Sequence, residues 1–400
     1  MNLLIVSPGV PSAAWGGGNR NLHLLKMLAR KHTISLLAQV SEEDIEICNT
    51  SLLEDYVQSI QVIACRFPRV KRLQQLTNLF LRRSYTMNAL IAPEMQRALD
   101  TLLIQEHFDA VLFESVLMAG YHLPEGLKII IDQHNIEHEL LWRAYQHEKS
   151  WLRRWYNWLE SRLARTVEIE RCRRADMVLV TSERERLLLK SLLPKSVIEE
   201  VPNGVDSKVF QSDCQQQEVA GQIIFTGTFS YYPNIDAVLF FARRCWPLIR
   251  KQIPGATWQI VGSNPPPEVR RLGELPGITV TGTVPDVPPY LAKAEVAIVP
   301  LLIGGGTRLK ILEALSMQKA VVSTSLGCEG LAVVPGVHLV VADQPEEFAQ
   351  AVVAFLKNAE MRKAFGAAGR ALVEAEYSWD RSGERLLQTL DEARVVSISN

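Results

Sequence analysis

Four stretches of this sequence hold side chains able to bind or move charge. The longest is Val299-Pro300-Leu301-Leu302-Ile303-Gly304-Gly305-Gly306-Thr307-Arg308-Leu309-Lys310-Ile311-Leu312-Glu313-Ala314-Leu315. An apolar run ends at Pro300, a glycine-rich loop follows, and a helix opens near Thr307–Arg308. Exposed amides at a helix start, joined by Arg308 and Lys310, suit a diphosphate. Glu313 lies on a face otherwise made of Leu309, Leu312 and Leu315. A carboxylate there can accept two ribose hydroxyls; the plain alternative is a capping acid on a packing helix.

The second stretch is Asp132-Gln133-His134-Asn135-Ile136-Glu137-His138, directly after the apolar run Ile129–Ile131. A histidine at the carboxyl end of a strand in an α/β sheet faces the ligand crevice. There it can donate to a reacting sugar or a phosphate, unless it is satisfied within the core. His134-x-x-Glu137-His138 also matches a zinc-protease pattern. That pattern needs both histidines on one helix face plus a third ligand, and His134 falls at a strand–loop boundary, so a zinc hydrolase is the remotest reading. The third stretch, Trp15-Gly16-Gly17-Gly18-Asn19-Arg20, follows the first strand and precedes a helix. Three glycines let backbone amides approach an anion or bulky ligand closely, which reads as a substrate-facing loop; the alternative is a flexible connection. The spacing is neither G-x-G-x-x-G nor a P-loop. The fourth, Val201-Pro202-Asn203-Gly204-Val205-Asp206, is by itself a turn.

The elements that must position these residues are short apolar runs ending in turn residues. Leu3–Val6, Thr33–Leu37, Gln61–Ala64, Ala110–Phe113, Lys128–Ile131 and Met177–Val180 alternate with helical spacers. The series restarts with Ile223–Thr226, helix Asn234–Arg244, Trp258–Val261, Ile278–Thr281, Val296–Val299, helix Arg308–Ser316, Ala320–Ser323 and His338–Val341. The expected fold is α/β, with two doubly wound, Rossmann-like parallel-sheet domains facing across a cleft. The expected boundaries are 1–205 for an acceptor-side domain and 206–377 for a nucleotide-sugar domain. A final helix near 378–396 is expected to cross back to the first.

Composition agrees with two soluble domains. The chain has 400 residues, 47% apolar and 22% charged, with a formal charge of 43 − 44 = −1. Residues 1–200 carry 25 basic and 24 acidic side chains, which excludes a basic nucleic-acid binder. No apolar run approaches the roughly 20 residues of a membrane span. Met1–Gly9 reads as a strand, not a signal peptide, and the six cysteines include no C-x-x-C pair, so a cytoplasmic location is expected.

Gly304–Leu315, Val201–Asp206, Gln133–Asn135 and the early glycine loop, in that order, resemble retaining glycosyltransferases of family 4, which have the GT-B fold. The branch resembled reads P-L-x-x-G-G-G-T-R-L-K-x-L-E-A, followed here by Ser323-Thr324 and Gly327-Cys328-Glu329-Gly330-Leu331. The resemblance implies transfer from a UDP- or GDP-sugar to a hydroxyl acceptor with retention of configuration. It implies no metal and no cofactor, the nucleotide-sugar being a substrate, and the chain holds no Asp-x-Asp. It makes Glu313 the second glutamate of the E-x7-E motif, binding the donor ribose, while the first falls on Gly305. It places the donor along Gly227, Thr228, Asn234, Val284, Gly304, Gly305, Gly306, Thr307 and Leu309. The Arg and Lys that usually follow the second domain's first strand are missing from Gly227–Asn234, and Arg308 and Lys310 are the substitutes. His134 matches the family's active-site histidine, and Gly16, Gly17, Gly18, Asn19 and Asn135 lie on the acceptor side. The implied acceptor is a carbohydrate, a lipid-linked glycan or a small molecule, in polysaccharide biosynthesis. A member that has lost catalysis and only binds is the alternative, because of Gly305 and the missing cations.

Two basic segments lie outside these motifs. Tyr56–Pro93 has no acid but holds Arg66, Arg69, Lys71, Arg72, Arg82 and Arg83 beside Leu76, Leu79, Phe80 and Leu81. Trp142, Tyr145, Trp151, Trp155, Tyr156 and Trp158 fall within 17 residues, interleaved with Arg153, Arg154, Arg162 and Arg165. A basic helix with Trp151, Trp155 and Trp158 on one face is the pattern of interfacial binding, so contact through 66–83 and 142–165 with the inner face of a membrane is expected. The alternative is that the tryptophans pack on the domain core.

Overall fold

A computed structural model describes residues 1–12, 16–67, 75, 77–78, 81–211 and 217–398. It divides into two compact units, Met1–Pro202 with the chain from Ser382 onward, and Asn203–Arg381. Helices of seven residues or more are numbered below in chain order.

Unit 1 is built on a seven-stranded parallel sheet, ordered β3-β2-β1-β4-β5-β6-β7. Its strands are β1 (Asn2–Ser7), β2 (Thr33–Ser41), β3 (Ser59–Cys65), β4 (Ala110–Phe113), β5 (Lys128–Gln133), β6 (Met177–Val180) and β7 (Ile198–Glu200). Its helices are α1 (Gly16–Leu28), α2 (Pro93–Gln105), α3 (Glu137–His147), α4 (Trp151–Arg174) and α5 (Glu183–Leu192). Strand side chains alternate between faces, and both faces are apolar. Leu4, Val6, Val111, Phe113 and Ile131 pack on one side, and Leu3, Ile5, Leu112 and Ile130 on the other. The second face is covered by α1 and by Leu386, Leu387 and Leu390 of the last helix, α11 (Trp379–Ile398). Gly383 lets α11 approach α1, since a Cβ there would stand 2.3 Å from Met27.

Unit 2 has a six-stranded parallel sheet, ordered β10-β9-β8-β11-β12-β13. The strands are β8 (Gln222–Thr226), β9 (Thr257–Val261), β10 (Ile278–Gly282), β11 (Val296–Val299), β12 (Ala320–Ser323) and β13 (Val340–Val341). The helices are α6 (Tyr232–Phe240), α7 (Trp246–Gln252), α8 (Leu309–Ser316), α9 (Pro345–Lys357) and α10 (Ala359–Glu376). Trp258 is fully buried, edge-on to Phe241 at 4.7 Å. The single helix expected over 234–244 is instead α6, a π turn at Phe241–Cys245 and α7. Pro247 is the reason: it has no N–H for the i→i−4 ladder, and the wider turn absorbs the missing bond. β7 was not anticipated; only Ile198 of its three residues is apolar and buried.

Cys48, Cys65, Cys172, Cys245 and Cys328 are free thiols. No helix among the described residues is long and apolar enough to cross a membrane.

Candidate functional site

In each unit the strand order reverses beside one strand, and there the loops at the carboxyl ends diverge and leave a crevice. In unit 2 that strand is β8, flanked by β9 and β11. The loop after β8 carries Gly227 and Thr228, and the loop after β11 carries Gly304–Thr307.

Lys310, in the first turn of α8, reaches across these loops. Its Nζ donates to Asn234 Oδ1 of α6 at 2.7 Å and lies 4.0 Å from the centroid of Phe225. A Cβ on Gly227 would stand 2.7 Å from that ammonium and 2.8 Å from Asn234 Nδ2, so a larger residue after β8 would displace the Lys310–Asn234 pair. Asn234 Nδ2 in turn donates to the Thr228 carbonyl at 2.7 Å. Burial pushes Lys310 down to about 7, although Glu313 one turn on favours its charge. Burial raises Glu313 to about 7, opposed by Lys310.

The glycine loop is held from two sides. Tyr231 Oη accepts the Gly305 N–H at 3.4 Å. Arg308 donates to the carbonyls of Gly305 and Gly306 and is only 5% exposed. Arg308, expected to meet a diphosphate, lays its Nη1 on its own loop, because the carbonyls of a tight glycine turn need donors. Gly304 and Gly306 have φ of 127° and 70°, which a side chain disfavours, and Gly305 is not among the positive-φ glycines. Thr307 and Leu309 are half-buried beside the helix start. Beyond β9 and β10 lies an open cavity of about 680 Å³, lined by Asn264, Pro265, Arg270, Thr281, Gly282 and Thr283; Val284 is the next residue in chain.

In unit 1 the reversal is at β1, between β2 and β4. Gly16, Gly17 and Gly18, expected as a loop, form the first turn of α1, with Asn19 half-buried behind them. One turn on, Arg20 is 1% exposed and grips Asp132 at the end of β5, Nε to Oδ2 at 2.8 Å and Nη2 to Oδ1 at 2.7 Å. Its Nη1 donates to the Val201 carbonyl at 2.8 Å. His134 Nε2 stands 3.3 Å from the same Asp132 Oδ2. Burial opposes the charge on Asp132, yet Arg20 and His134 together hold its carboxyl well below the usual range. Beside this pair, Asn21 Nδ2 donates to Glu114, whose carboxyl burial raises to about 8. Arg20, Asn21 and Glu114 were not singled out in the sequence. The available signal was a charged residue directly after an apolar strand, as in Phe113-Glu114.

Asn135 is half-buried in the turn before α3. Glu168 of α4 caps that helix, accepting the N–H of Glu137 at 2.9 Å and of His138 at 3.0 Å. It also lies 2.6 Å from His138 Nδ1. The zinc pattern therefore does not assemble: His134 turns to Asp132 and His138 to Glu168. Among the described residues no group of three or more His, Cys, Asp or Glu is placed to hold a metal.

Two family models match the chain. Residues 16–209 match one described as Glycosyltransferase Family 4, and residues 220–358 one described as Glycosyl transferases group 1. No curated protein sequence matches. Solved structures of similar fold include sucrose-phosphate synthase from Thermosynechococcus elongatus, 17% identical, with 99% of each chain covered and a TM-score of 0.75. Anabaena HepE in complex with UDP and glucose is 13% identical, covering 98% of this chain and 100% of its own, with a TM-score of 0.68. S. aureus TarM in complex with fondaparinux, alpha-GlcNAc-glycerol and UDP is 9% identical, covering 97% and 99%, with a TM-score of 0.70. At these identities the likeness is one of fold.

Proposed function

We propose that this chain, a glycosyltransferase of the GT-B fold, moves a sugar from a UDP- or GDP-sugar to a hydroxyl acceptor with retention of configuration. The observation that carries the reading is Lys310, set over Gly227 and against Asn234 at the strand reversal of unit 2. It puts a cation on the end of β8, where the missing Arg and Lys of the resembled family would supply charge. The UDP in the HepE and TarM structures supports this choice of ligand class.

In this mechanism the bond between the sugar C1 and the diphosphate oxygen breaks, and negative charge grows on the leaving nucleoside diphosphate. Lys310 and the amides at the start of α8 stabilise that charge. The acceptor oxygen bonds to C1 from the face just vacated, and its proton passes to the leaving phosphate. Arg308 serves indirectly, by fixing the Gly304–Thr307 turn. Glu313 takes the ribose hydroxyls. In unit 1, the Arg20–Asp132 pair fixes the place of His134, whose Nε2 lies 3.3 Å from Asp132 Oδ2. Lys310 offsets one of the two diphosphate charges, and no step of this mechanism uses a metal, the chain having no Asp-x-Asp. The acceptor is a carbohydrate or lipid-linked precursor of a polysaccharide, met in the cytoplasm.

A hydrolysis screen of UDP-, GDP- and ADP-sugars tests the reading. Turnover of one of the first two, lost in Lys310→Ala and weakened in Glu313→Ala, is expected; preference for ADP-sugar or indifference to both substitutions refutes it. Gly305 favours a second reading, a protein that binds the donor without turning it over. Binding without hydrolysis or transfer would select that reading.

A further inference from the structure

The helical hairpin of α3 and α4 ends in a tip that neither donor nor acceptor chemistry uses. Trp142 on α3 and Trp151, Leu152 and Trp155 on α4 are 40%, 76%, 59% and 52% exposed. All four lie within six residues of the connection between His147 and Trp151. The exposure is confined to this tip. Trp158, on the same face in the sequence, is half-buried under Arg162, and Glu160, Ser161 and Ala164 beyond it are buried. Neither reading of the tryptophan face therefore applies to its whole length.

The charge around the tip is mostly positive. Lys149, Arg153 and Arg154 are exposed there, Arg154 lying 5.0 Å over the Tyr145 ring. The acid in the connection, Glu148, is turned back and accepts the Ser150 N–H at 2.9 Å. Glu139 on α3 is held by Arg143 and Arg184. The basic turn Leu81-Arg82-Arg83, also exposed, adjoins the same helix, because Ser84 Oγ donates to Glu160 at 2.7 Å. Arg66 is paired with Glu42 at 2.7 Å, and Arg69, Lys71, Arg72, Leu76, Leu79 and Phe80 lie outside the described residues.

We infer that the α3–α4 tip docks on an anionic bilayer surface. Trp151, Leu152 and Trp155 sit at the boundary of headgroups and acyl chains, where an amphipathic ring has both an apolar and a polar neighbour. Lys149, Arg153 and Arg154 meet the lipid phosphates. Charge complementarity selects this occupant: a second copy of the chain would set this cationic tip against an equal charge.

The test is co-sedimentation of the full chain with vesicles of phosphatidylcholine alone and of phosphatidylcholine mixed with phosphatidylglycerol. Binding to the mixed vesicles, about tenfold or more above neutral ones and weakened by salt, is expected. Trp151→Ala/Trp155→Ala and Arg153→Glu/Arg154→Glu should each lower that binding by about tenfold or more, while Ile104→Ala, another exposed apolar residue, should not. Hydrolysis of the donor without lipid should be unchanged in all three variants, showing an intact fold. Equal binding to both vesicles, or binding untouched by either double variant, overturns the inference. So does a dimer in solution that the tryptophan variant dissolves while vesicles bind nothing.

Discussion

The two units bury charge at the same place in the same kind of sheet, and in opposite ways. In unit 1 the Arg20 guanidinium meets Asp132 through two bonds and a carbonyl through a third, so the ion pair is internally complete. In unit 2 the hydrogen bond of the Lys310 ammonium goes to a neutral amide, Asn234, and burial brings its pKa to about 7. Paired burial fixes a geometry; a cation hydrogen-bonded to a neutral amide, favoured by Glu313 one turn on but without a two-bond partner of its own, is one whose charge an arriving anion stabilises. The first arrangement suits a framework for His134, the second a diphosphate site.

The largest effect expected from breaking this contrast is in unit 1. Asp132→Ala leaves Arg20 buried without its carboxylate and should cost about 3–5 kcal/mol, read as a lower urea midpoint. A loss below about 1 kcal/mol would mean that water or another group compensates the charge. Lys310→Ala should behave oppositely, with stability nearly unchanged and affinity for the donor reduced about tenfold to hundredfold, the range of a charge-assisted hydrogen bond.

The pH dependence sharpens the same point. The Lys310 pKa is depressed, so its ammonium is charged below about 7 and neutral above it, where the Glu313 carboxyl, raised to about 7, takes up negative charge. Binding of a nucleotide-sugar should therefore weaken as pH rises above that value, through the pKa that Lys310 takes in the complex. Lys310→Arg, charged throughout, should make the profile shallower, leaving the part that Glu313 contributes; an equal slope in both proteins would assign the titration elsewhere. The smallest effects are expected in the glycine loop. Gly306→Ala should lose about 1 kcal/mol to its left-handed backbone. Gly305→Glu should lose less in thermal unfolding and, by restoring the first glutamate of E-x7-E, should not lower donor affinity.

Much of this was legible in the residues. β4, β6, β11 and β12 lie at the expected positions, because buried parallel strands are continuous apolar runs with little alternative. The glycine–helix segment at 304–315 also stood out, since few other structures need that composition. What could not be read was direction. Gly16–Gly18 look like a loop, yet one turn later Arg20 and Asn21 find partners 112 and 93 residues away, which anchor the helix start. Arg308 and Lys310 are two residues apart and look equivalent in sequence. A helix turns successive side chains by about 100°, so one meets the loop carbonyls and the other the end of β8. Burial decides the tryptophans likewise: Trp158 and Trp151 share a helical face, but only the tip is left in solvent.

The central claim is that Lys310 makes unit 2 a nucleoside-diphosphate site. Calorimetric titration of the wild-type chain and Lys310→Ala with UDP- and GDP-glucose at neutral pH tests it most directly. The account predicts binding of at least one donor by the wild type, and at least about tenfold weaker binding by the variant. Equal affinities, or no binding of either donor by the wild type, would contradict it.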